Sequence, residues 1–253
     1  MFLIAGLFGA LIGSFLNVCI YRLPRQESIA WPGSHCPRCA HPIAWYDNIP
    51  ILSFLALAGR CRHCAVGIPF RYPLIEILNA LGYVGLLWVF GPSWTAAAYG
   101  LLYSALLVVA GTDLSHKIIP NAVTFPGIII GFLCAATILP VGAPDSVLGI
   151  LVGGGILWVL AWASPYVFGK EGMGGGDIKL LGMIGAFLGW KPAVMTIMVG
   201  SFLGSVVAVA LIAAKVIKRE DYIPFGPFLV CGALVALFFG QSILDWYQGL
   251  IAG

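Results

Sequence analysis

Two aspartates stand out among the ten acidic residues of this 253-residue chain. Asp113 lies in the stretch GTDLSHKIIPN, directly after an apolar segment, and Asp177 lies in GMGGGDIK, directly before another. Two complete apolar segments separate them, and two membrane crossings would return both carboxylates to the same face. Ionisable groups close to hydrocarbon are costly and rare, so each aspartate is a functional candidate.

Two facing carboxylates suit acid–base activation of water. Like charges at close range do not both ionise easily, so one carboxyl group keeps its proton. The ionised partner can take a proton from water while the protonated partner polarises a peptide carbonyl. The pair titrates as a unit, and the residues alone do not say which is which. The run Gly174, Gly175 and Gly176 is predicted to be a substrate-positioning loop, because the missing side chains permit unusual backbone angles and the close approach of an extended peptide beside Asp177.

Plainer interpretations of these residues remain open. An aspartate at a helix start is commonly an N-cap, which would give Asp177 a structural role. Asp113, four residues before Lys117, can equally be a solvated residue at a helix boundary. The glycine-rich run also raises phosphate binding, but GMGGGDIK lacks the GxxxxGK[ST] pattern that this function requires.

Four cysteines form a second candidate site, in two Cys-x-x-Cys pairs with 21 residues between them. The proposed ligands are Cys36, Cys39, Cys61 and Cys64. Two such pairs are typical of tetrahedral zinc binding, and four protein ligands leave no open position, which predicts a structural metal. Two disulfides or free thiols are the alternatives, and a reducing compartment disfavours disulfides.

The remaining histidines and cysteines near these motifs receive structural predictions. The histidines of the cysteine-rich stretch are expected at the surface, because four thiolates would already fill the metal shell. They are His35, His41 and His63. The other cysteines lie in apolar segments and are predicted to be small buried apolar residues. They are Cys19, Cys134 and Cys231.

The composition shows what kind of fold must position these groups. The chain is 60% hydrophobic and 9% charged, with a mean hydropathy of +1.00, whereas soluble domains carry about 25% charged residues. We therefore predict an all-α polytopic membrane protein with about eight transmembrane helices. The apolar stretches are 2–21, 73–90, 94–111, 122–140, 146–168, 178–190, 193–214 and 225–247. The sixth is too short to cross a bilayer alone.

The distribution of positive charge predicts the orientation. With the N-terminus outside, the inside connections are 22–72, 112–121, 169–177 and 215–224, and they hold eleven of the thirteen basic residues. The predicted organisation is a first transmembrane helix over 1–21, a cytoplasmic four-cysteine zinc-binding domain over 22–72, and a multi-helix membrane domain over 73–253. No internal repeat stands out.

Several motifs, in the same order along the chain, resemble the type IV prepilin peptidases among the GxGD aspartyl proteases. Gly174 to Asp177 fits GxGD, and the block GMGGGDIKLLGMIGAFLGW resembles the family's central block. GTDLSHKIIPN is similar to the region of its first catalytic aspartate. Further similarity lies in GSFLNVCIYRLP, both cysteine pairs, WYDNIPILSF and FRYPLIEILNA.

The resemblance implies a function that composition does not show. Such enzymes cut prepilins and pseudopilins on the cytoplasmic side of the bacterial inner membrane, after a glycine that precedes the hydrophobic helix. Many also methylate the new N-terminus with S-adenosylmethionine. Asp113 and Asp177 carry over as the catalytic pair of the peptidase domain, and the four cysteines as zinc ligands. Candidates only for the methyl-transfer step are Asn17, Arg22, Asp47, Asn48, Glu76 and Asn79.

Three other function classes deserve comparison with this prediction. A carrier with proton- or cation-binding carboxylates is disfavoured, because no acidic residue lies deep in a predicted span and inverted repeats are not apparent. A presenilin-type protease is disfavoured, because Asp113 follows Thr112 rather than a tyrosine within a helix. A structural component of a secretion machine would use the aspartates as caps. The expected partners are prepilin-like substrates and the lipid bilayer, and a nucleic-acid partner is not expected.

Overall fold

The computed structural model describes residues 1–168, 174–218 and 223–252. Lys170, Gly172, Met173 and Arg219, which take part in the sequence predictions, lie outside the described residues. Within the described ranges the all-α fold class is confirmed, and the extended pairings there are two isolated bridges. The helices are α1 Phe2–Arg22, α2 Leu52–Ala56, α3 Arg71–Phe90, α4 Trp94–His116, α5 Asn121–Thr137, α6 Gly142–Phe168, α7 Gly175–Leu188, α8 Trp190–Ala213 and α9 Gly226–Ala252.

Each of the eight predicted apolar stretches corresponds to one helix. In the described part of the chain, six helices are long and apolar enough to cross a membrane. Helix α5 has 17 residues and α7 has 14, which is at or below the length that a bilayer core requires. The short sixth segment expected from the sequence is therefore present. The outward orientation of the N-terminus stays a prediction.

Helix α4 continues past its predicted end. The third apolar stretch was expected to end at residue 111, but the helix runs to His116 and therefore includes Asp113 in its final turns. It ends at Lys117, whose φ of 56° is left-handed and whose amide donates to the Asp113 carbonyl at 2.8 Å. Hydropathy falls where polar residues begin, whereas a helix ends where its backbone angles change.

Helix α7 begins three residues earlier than its predicted apolar stretch. Gly174 is the N-cap, with no side-chain cap hydrogen bond, and Gly175 opens the helix. Asp177 is therefore inside the first turn and is not the N-cap, which corrects the capping interpretation. Every residue from Leu180 to Leu188 is buried. A helix that is apolar on all sides belongs in the interior of a bundle.

The chain forms two compact units, Met1–Val108 and Val109–Gly253, and the division falls inside α4. In the first unit, α1 packs along α3. Asn79 of α3 stabilises this packing by donating to the Gly9 carbonyl of α1 at 2.7 Å. Tyr103 of α4 donates to the Leu78 carbonyl of α3 at 2.9 Å. The cysteine-rich stretch between α1 and α3 belongs to the same unit.

In the second unit, α7 is the central helix and packs against α5, α6, α8 and α9. Its closest neighbour is α6, where Gly149 and Gly185 face each other so tightly that a Cβ on either would overlap the other's carbonyl oxygen. Ser146 of α6 adds a hydrogen bond of 2.7 Å to the Ala186 carbonyl. A buried, tightly packed α7 holds its first turn, and hence Asp177, in a defined position.

The three cysteines outside the paired motifs are not all buried. Cys19 is buried as predicted, but Cys134 is half-buried and Cys231 is exposed. The prediction is therefore wrong for Cys231. In a membrane protein the outward face of a helix meets lipid, so an apolar residue there needs no burial within the protein.

Candidate active site and metal centre

Asp113 is buried near the end of α4, with 3% of its surface exposed. Its Oδ2 accepts a hydrogen bond of 3.0 Å from the backbone amide of Gly226, the first residue of α9. The boundary interpretation, in which Asp113 is solvated, is wrong. A carboxylate this deeply buried requires hydrogen-bond donors or a proton, and the structure supplies an amide.

Asp177 is buried in the first turn of α7, with 4% of its surface exposed. Its Oδ1 is among the few buried side-chain atoms of the described residues that have no hydrogen-bond partner. Asp177 also interacts electrostatically with Asp113. The structure therefore brings both sequence-predicted aspartates into one buried acidic site.

Further contacts join the two motif segments that carry these aspartates. Lys179 of α7 donates to the Oδ1 atom of Asn121 at 2.9 Å, at the start of α5. Close by, Gly176 lies against Ile119. Segments that are distant in sequence thus meet through a hydrogen bond and a close approach of Gly176 to Ile119, although the two carboxyl groups repel each other when both are charged.

The glycine run differs from its predicted form. Gly174 has extended backbone angles of −75° and 141°, which any residue adopts, and Gly175 and Gly176 are helical. The expected loop with unusual angles is therefore not present over Gly174 to Gly176. Only Gly176 is sterically required among the three, because a Cβ there would lie 2.9 Å from the Ile119 Cβ atom. A Cβ at Gly175 would meet nothing within 4 Å.

This difference predicts unequal effects of two neighbouring substitutions. Gly176→Ala is expected to push the first turn of α7 away from Ile119 and to lower the rate of peptide cleavage by up to about 100-fold, since small displacements of reacting groups have such effects. Gly175→Ala is the matched control and should retain about the wild-type rate. Initial rates of leader removal from a purified prepilin measure both. Equal losses in the two variants would contradict the packing interpretation.

The four paired cysteines converge on one point in the first unit. Their sulfur atoms all lie within 4.8 Å of one another, and the Sγ atoms of Cys36 and Cys64 are 3.8 Å apart. Zinc–sulfur bonds of about 2.3 Å in a tetrahedron place sulfur atoms about 3.8 Å apart. The residues present thus fit a tetrahedral four-thiolate zinc site. The three nearby histidines are exposed, as predicted, and the rings of His41 and His63 lie with centroids 3.4 Å apart and planes inclined at 36°.

Each cysteine pair forms the same tight backbone turn. The Ala40 amide donates to the Cys36 carbonyl and the Ala65 amide donates to the Cys61 carbonyl, both at 2.9 Å. Ala40 and Ala65 have nearly equal left-handed φ angles of 56° and 55°. This local repeat was missed from the sequence, because only the cysteines, one alanine and one isoleucine recur at matching positions.

The paired cysteines shift one another's pKa in opposite directions, and an ion pair lies beside them. The backbone amides of Cys39 and Arg38 lower the pKa of the Cys36 thiol to about 6. The Val66 amide lowers the pKa of Cys64, but burial and hydrogen bonds with the neighbouring thiols outweigh it and raise that pKa to about 11. Asp47 accepts two hydrogen bonds from Arg62, at 2.6 and 2.7 Å. That hydrogen-bonded guanidinium holds the pKa of Asp47 below its usual range.

The candidate methyl-transfer residues have structural partners in most cases. Arg22 donates to the carbonyls of Ser28 and Pro32 at 2.8 and 2.7 Å, and Asn17 donates to the Tyr72 carbonyl at 3.0 Å. Glu76 accepts from the Ile51 amide at 2.7 Å. Asn48 is exposed and, with Arg22, lines a cavity of about 280 Å³. None of these contacts identifies a methyl-donor site, so the roles of these residues in methyl transfer stay predictions.

Comparison with known proteins identifies the family. The Bacterial Peptidase A24 N-terminal domain matches residues 7–90, and the Type IV leader peptidase family matches residues 100–209. A prepilin leader peptidase/N-methyltransferase of Aeromonas salmonicida is 38% identical over 97% of this chain and 93% of its own length. The chain belongs to the type IV leader peptidase family.

Other relatives have comparable sequence identity to this chain. The prepilin leader peptidase/N-methyltransferase of Pseudomonas aeruginosa is 36% identical, over 95% of this chain and 91% of the relative. The prepilin leader peptidase/N-methyltransferase of Stutzerimonas stutzeri is 37% identical, over 97% of this chain and 93% of the relative. No solved structure matches the chain. The resemblance drawn from the motifs is therefore confirmed, and a multi-pass membrane protein is expected of a chain in this family.

Sequence reasoning missed Gly226. The segment Pro224-Phe225-Gly226-Pro227 signals a helix start, because proline is favoured in a first turn. Nothing in the segment says that its amide meets Asp113, which lies 113 positions earlier in the chain. The hydrogen bond between Lys179 and Asn121 could not be predicted either, because both are ordinary polar residues at helix ends.

Proposed function

We propose that this chain is a membrane aspartyl endopeptidase that removes the leader peptide from type IV prepilins or pseudopilins, with Asp113 and Asp177 as its catalytic pair. The observation that carries the proposal is the burial of both aspartates in the second unit, where they interact electrostatically. Its relatives are named prepilin leader peptidases/N-methyltransferases. A carrier function has no support from these relatives.

The pair hydrolyses the peptide bond by general acid–base chemistry. One carboxylate takes a proton from water as the water oxygen bonds to the carbonyl carbon, and the other carboxyl group gives its proton to the carbonyl oxygen. The resulting diol collapses when the carbon–nitrogen bond breaks. The nitrogen then receives the proton that came from water, and a diol hydroxyl returns a proton to the second carboxylate. Both carboxyl groups end as they began.

Cleavage takes place on the cytoplasmic face. The positive-inside pattern supports this placement, because the helix ends that carry Asp113 and Asp177 adjoin connections whose basic residues predict a cytoplasmic position. Zinc held by Cys36, Cys39, Cys61 and Cys64 is structural, since its four ligands leave no position for substrate. S-adenosylmethionine supplies the methyl group for the new N-terminal amine, and no residue is assigned to its binding.

Mass spectrometry of a prepilin incubated with the purified protein and S-adenosylmethionine tests both activities. We expect a product that lacks the leader and is heavier by one methyl group. A leaderless product without the methyl group would support the peptidase and remove the methyltransferase. Prepilins from several pilus and secretion systems that all stay uncut would contradict the proposed function.

A further inference from the structure

The two aspartates of the candidate site differ in their hydrogen bonding. Asp113 Oδ2 accepts the Gly226 amide at 3.0 Å, whereas Asp177 Oδ1 is buried without a partner. Both side chains are more than nine-tenths buried. In such surroundings a donor stabilises the charged form of a carboxyl group, and the lack of one favours the neutral form.

The local geometry at the start of α9 directs the Gly226 amide towards Asp113. Pro227 has no N–H, and the amides of Phe228 and Leu229 donate back to the Phe225 carbonyl at 3.0 and 3.1 Å. The Gly226 amide is thus directed away from its own helix, towards the carboxylate. The N-terminus of a helix also carries partial positive charge, which favours an anion placed against it.

Only glycine allows this contact. A Cβ at Gly226 would lie 2.6 Å from Asp113 Oδ2 and 3.2 Å from its Cγ. Any side chain at this position would push the carboxyl group off the amide. The absence of a side chain at Gly226 therefore brings the helix start within hydrogen-bonding distance of the carboxylate.

We propose that Gly226 is a positioning residue that holds the negative charge on Asp113, so that Asp177 carries the shared proton in the resting enzyme. This inference rests on the proposed peptidase function and assigns the two roles within it. Asp113 takes the proton from water while the water oxygen bonds to the carbonyl carbon. Asp177 gives its proton to the carbonyl oxygen. When the carbon–nitrogen bond breaks, Asp113 passes its proton to the nitrogen and Asp177 recovers one from the diol.

Infrared spectroscopy tests the proton assignment without requiring activity. The carbonyl stretch of a protonated carboxyl group is recorded at neutral pH for D113N, D177N and the D113N/D177N double variant, which is the baseline. We expect a band above baseline in D113N, from neutral Asp177, and none in D177N, where Asp113 stays ionised. A band in D177N, or none in D113N, would overturn the assignment.

The role of Gly226 is tested in the same way. Adding Gly226→Ala to D177N should produce the band, because Asp113 loses its amide donor and becomes neutral. Gly240→Ala, on the same helix, is the matched control, because a Cβ at Gly240 would meet nothing within 4 Å. This variant should produce no band. The absence of a band with Gly226→Ala would overturn the positioning role. If that variant does not fold, the single aspartate variants still decide the proton assignment.

Kinetics in the otherwise wild-type protein give a second readout. Gly226→Ala should lower kcat by about tenfold to a hundredfold, the value of a hydrogen bond to a charged group, and leave KM unchanged. Gly240→Ala should leave both unchanged. An unaltered kcat in Gly226→Ala would contradict the role. Failure of the wild-type protein to cut any prepilin would instead remove the proposed function, while cleavage with the reverse band pattern would remove only this assignment.

Discussion

Replacing either Asp113 or Asp177 by asparagine is expected to abolish leader removal, with a loss of about 1,000-fold or more in kcat. Asparagine has nearly the same shape as aspartate, so the burial of both side chains and the packing of α7 should persist. It neither accepts the proton of water nor donates one to a carbonyl oxygen as a carboxyl group does. General acid–base groups contribute about 100- to 10,000-fold each, and the proposed reaction needs both.

The control for this prediction is the same substitution at an exposed aspartate of the same unit. Asp145 lies in the first turn of α6 and is exposed, so Asp145→Asn should cleave at the wild-type rate. Rates are measured by the loss of intact prepilin, and folding is checked by thermal unfolding. Wild-type rates in Asp113→Asn or Asp177→Asn would exclude a dyad mechanism and leave the two aspartates with structural roles.

The double variant Cys36→Ser/Cys39→Ser is expected to lose its zinc and the order of the stretch between α1 and α3. Two of the four thiolates are removed, and serine is a poor zinc ligand. This stretch has little apolar core, and its described regular structure is short helical turns and two isolated bridges. Apparent binding free energies of about 10–16 kcal/mol for structural zinc sites contribute directly to folding, so loss of the metal should unfold the stretch.

Elemental analysis and limited trypsin digestion measure this outcome. Zinc should fall from one ion per chain to background, and trypsin should cut faster at the exposed Arg38, Arg60 and Arg62. Cys231→Ser is the matched control, because Cys231 is exposed on α9 and far from the metal ligands in sequence. It should keep both the metal and the wild-type digestion pattern. Unchanged zinc content in the double variant would exclude the four-cysteine site.

The predicted bounds of α4 and α7 at the candidate active site differ from the observed ones for the same reason. The sequence predictions ended the third segment at residue 111 and began the sixth at residue 178, where polar residues and glycines interrupt the apolar pattern. In the structure both helices extend beyond those limits and include Asp113 and Asp177. The aspartates therefore lie on packed helices and not on connecting loops. Catalytic groups on rigid elements are held more accurately than groups on loops.

Much of the molecule was predictable from the sequence because the forces involved are local or compositional. Eight apolar stretches predict the helices, since lipid leaves the backbone few alternatives to helical hydrogen bonding. The four cysteines at fixed spacing predict their own convergence, because two neighbouring thiolates in each pair already point to one centre. The GxGD block and its companion motifs predict the family.

Only the tertiary structure decided how these parts act together. The Gly226 amide reaches Asp113, Gly176 lies against Ile119, and residues 180–188 of α7 are buried because of contacts between helices far apart in sequence. Neither a glycine nor a backbone amide has a side chain from whose type such a contact could be predicted. The type and order of the helices follow from local composition, whereas the placement of each carboxyl group depends on long-range packing.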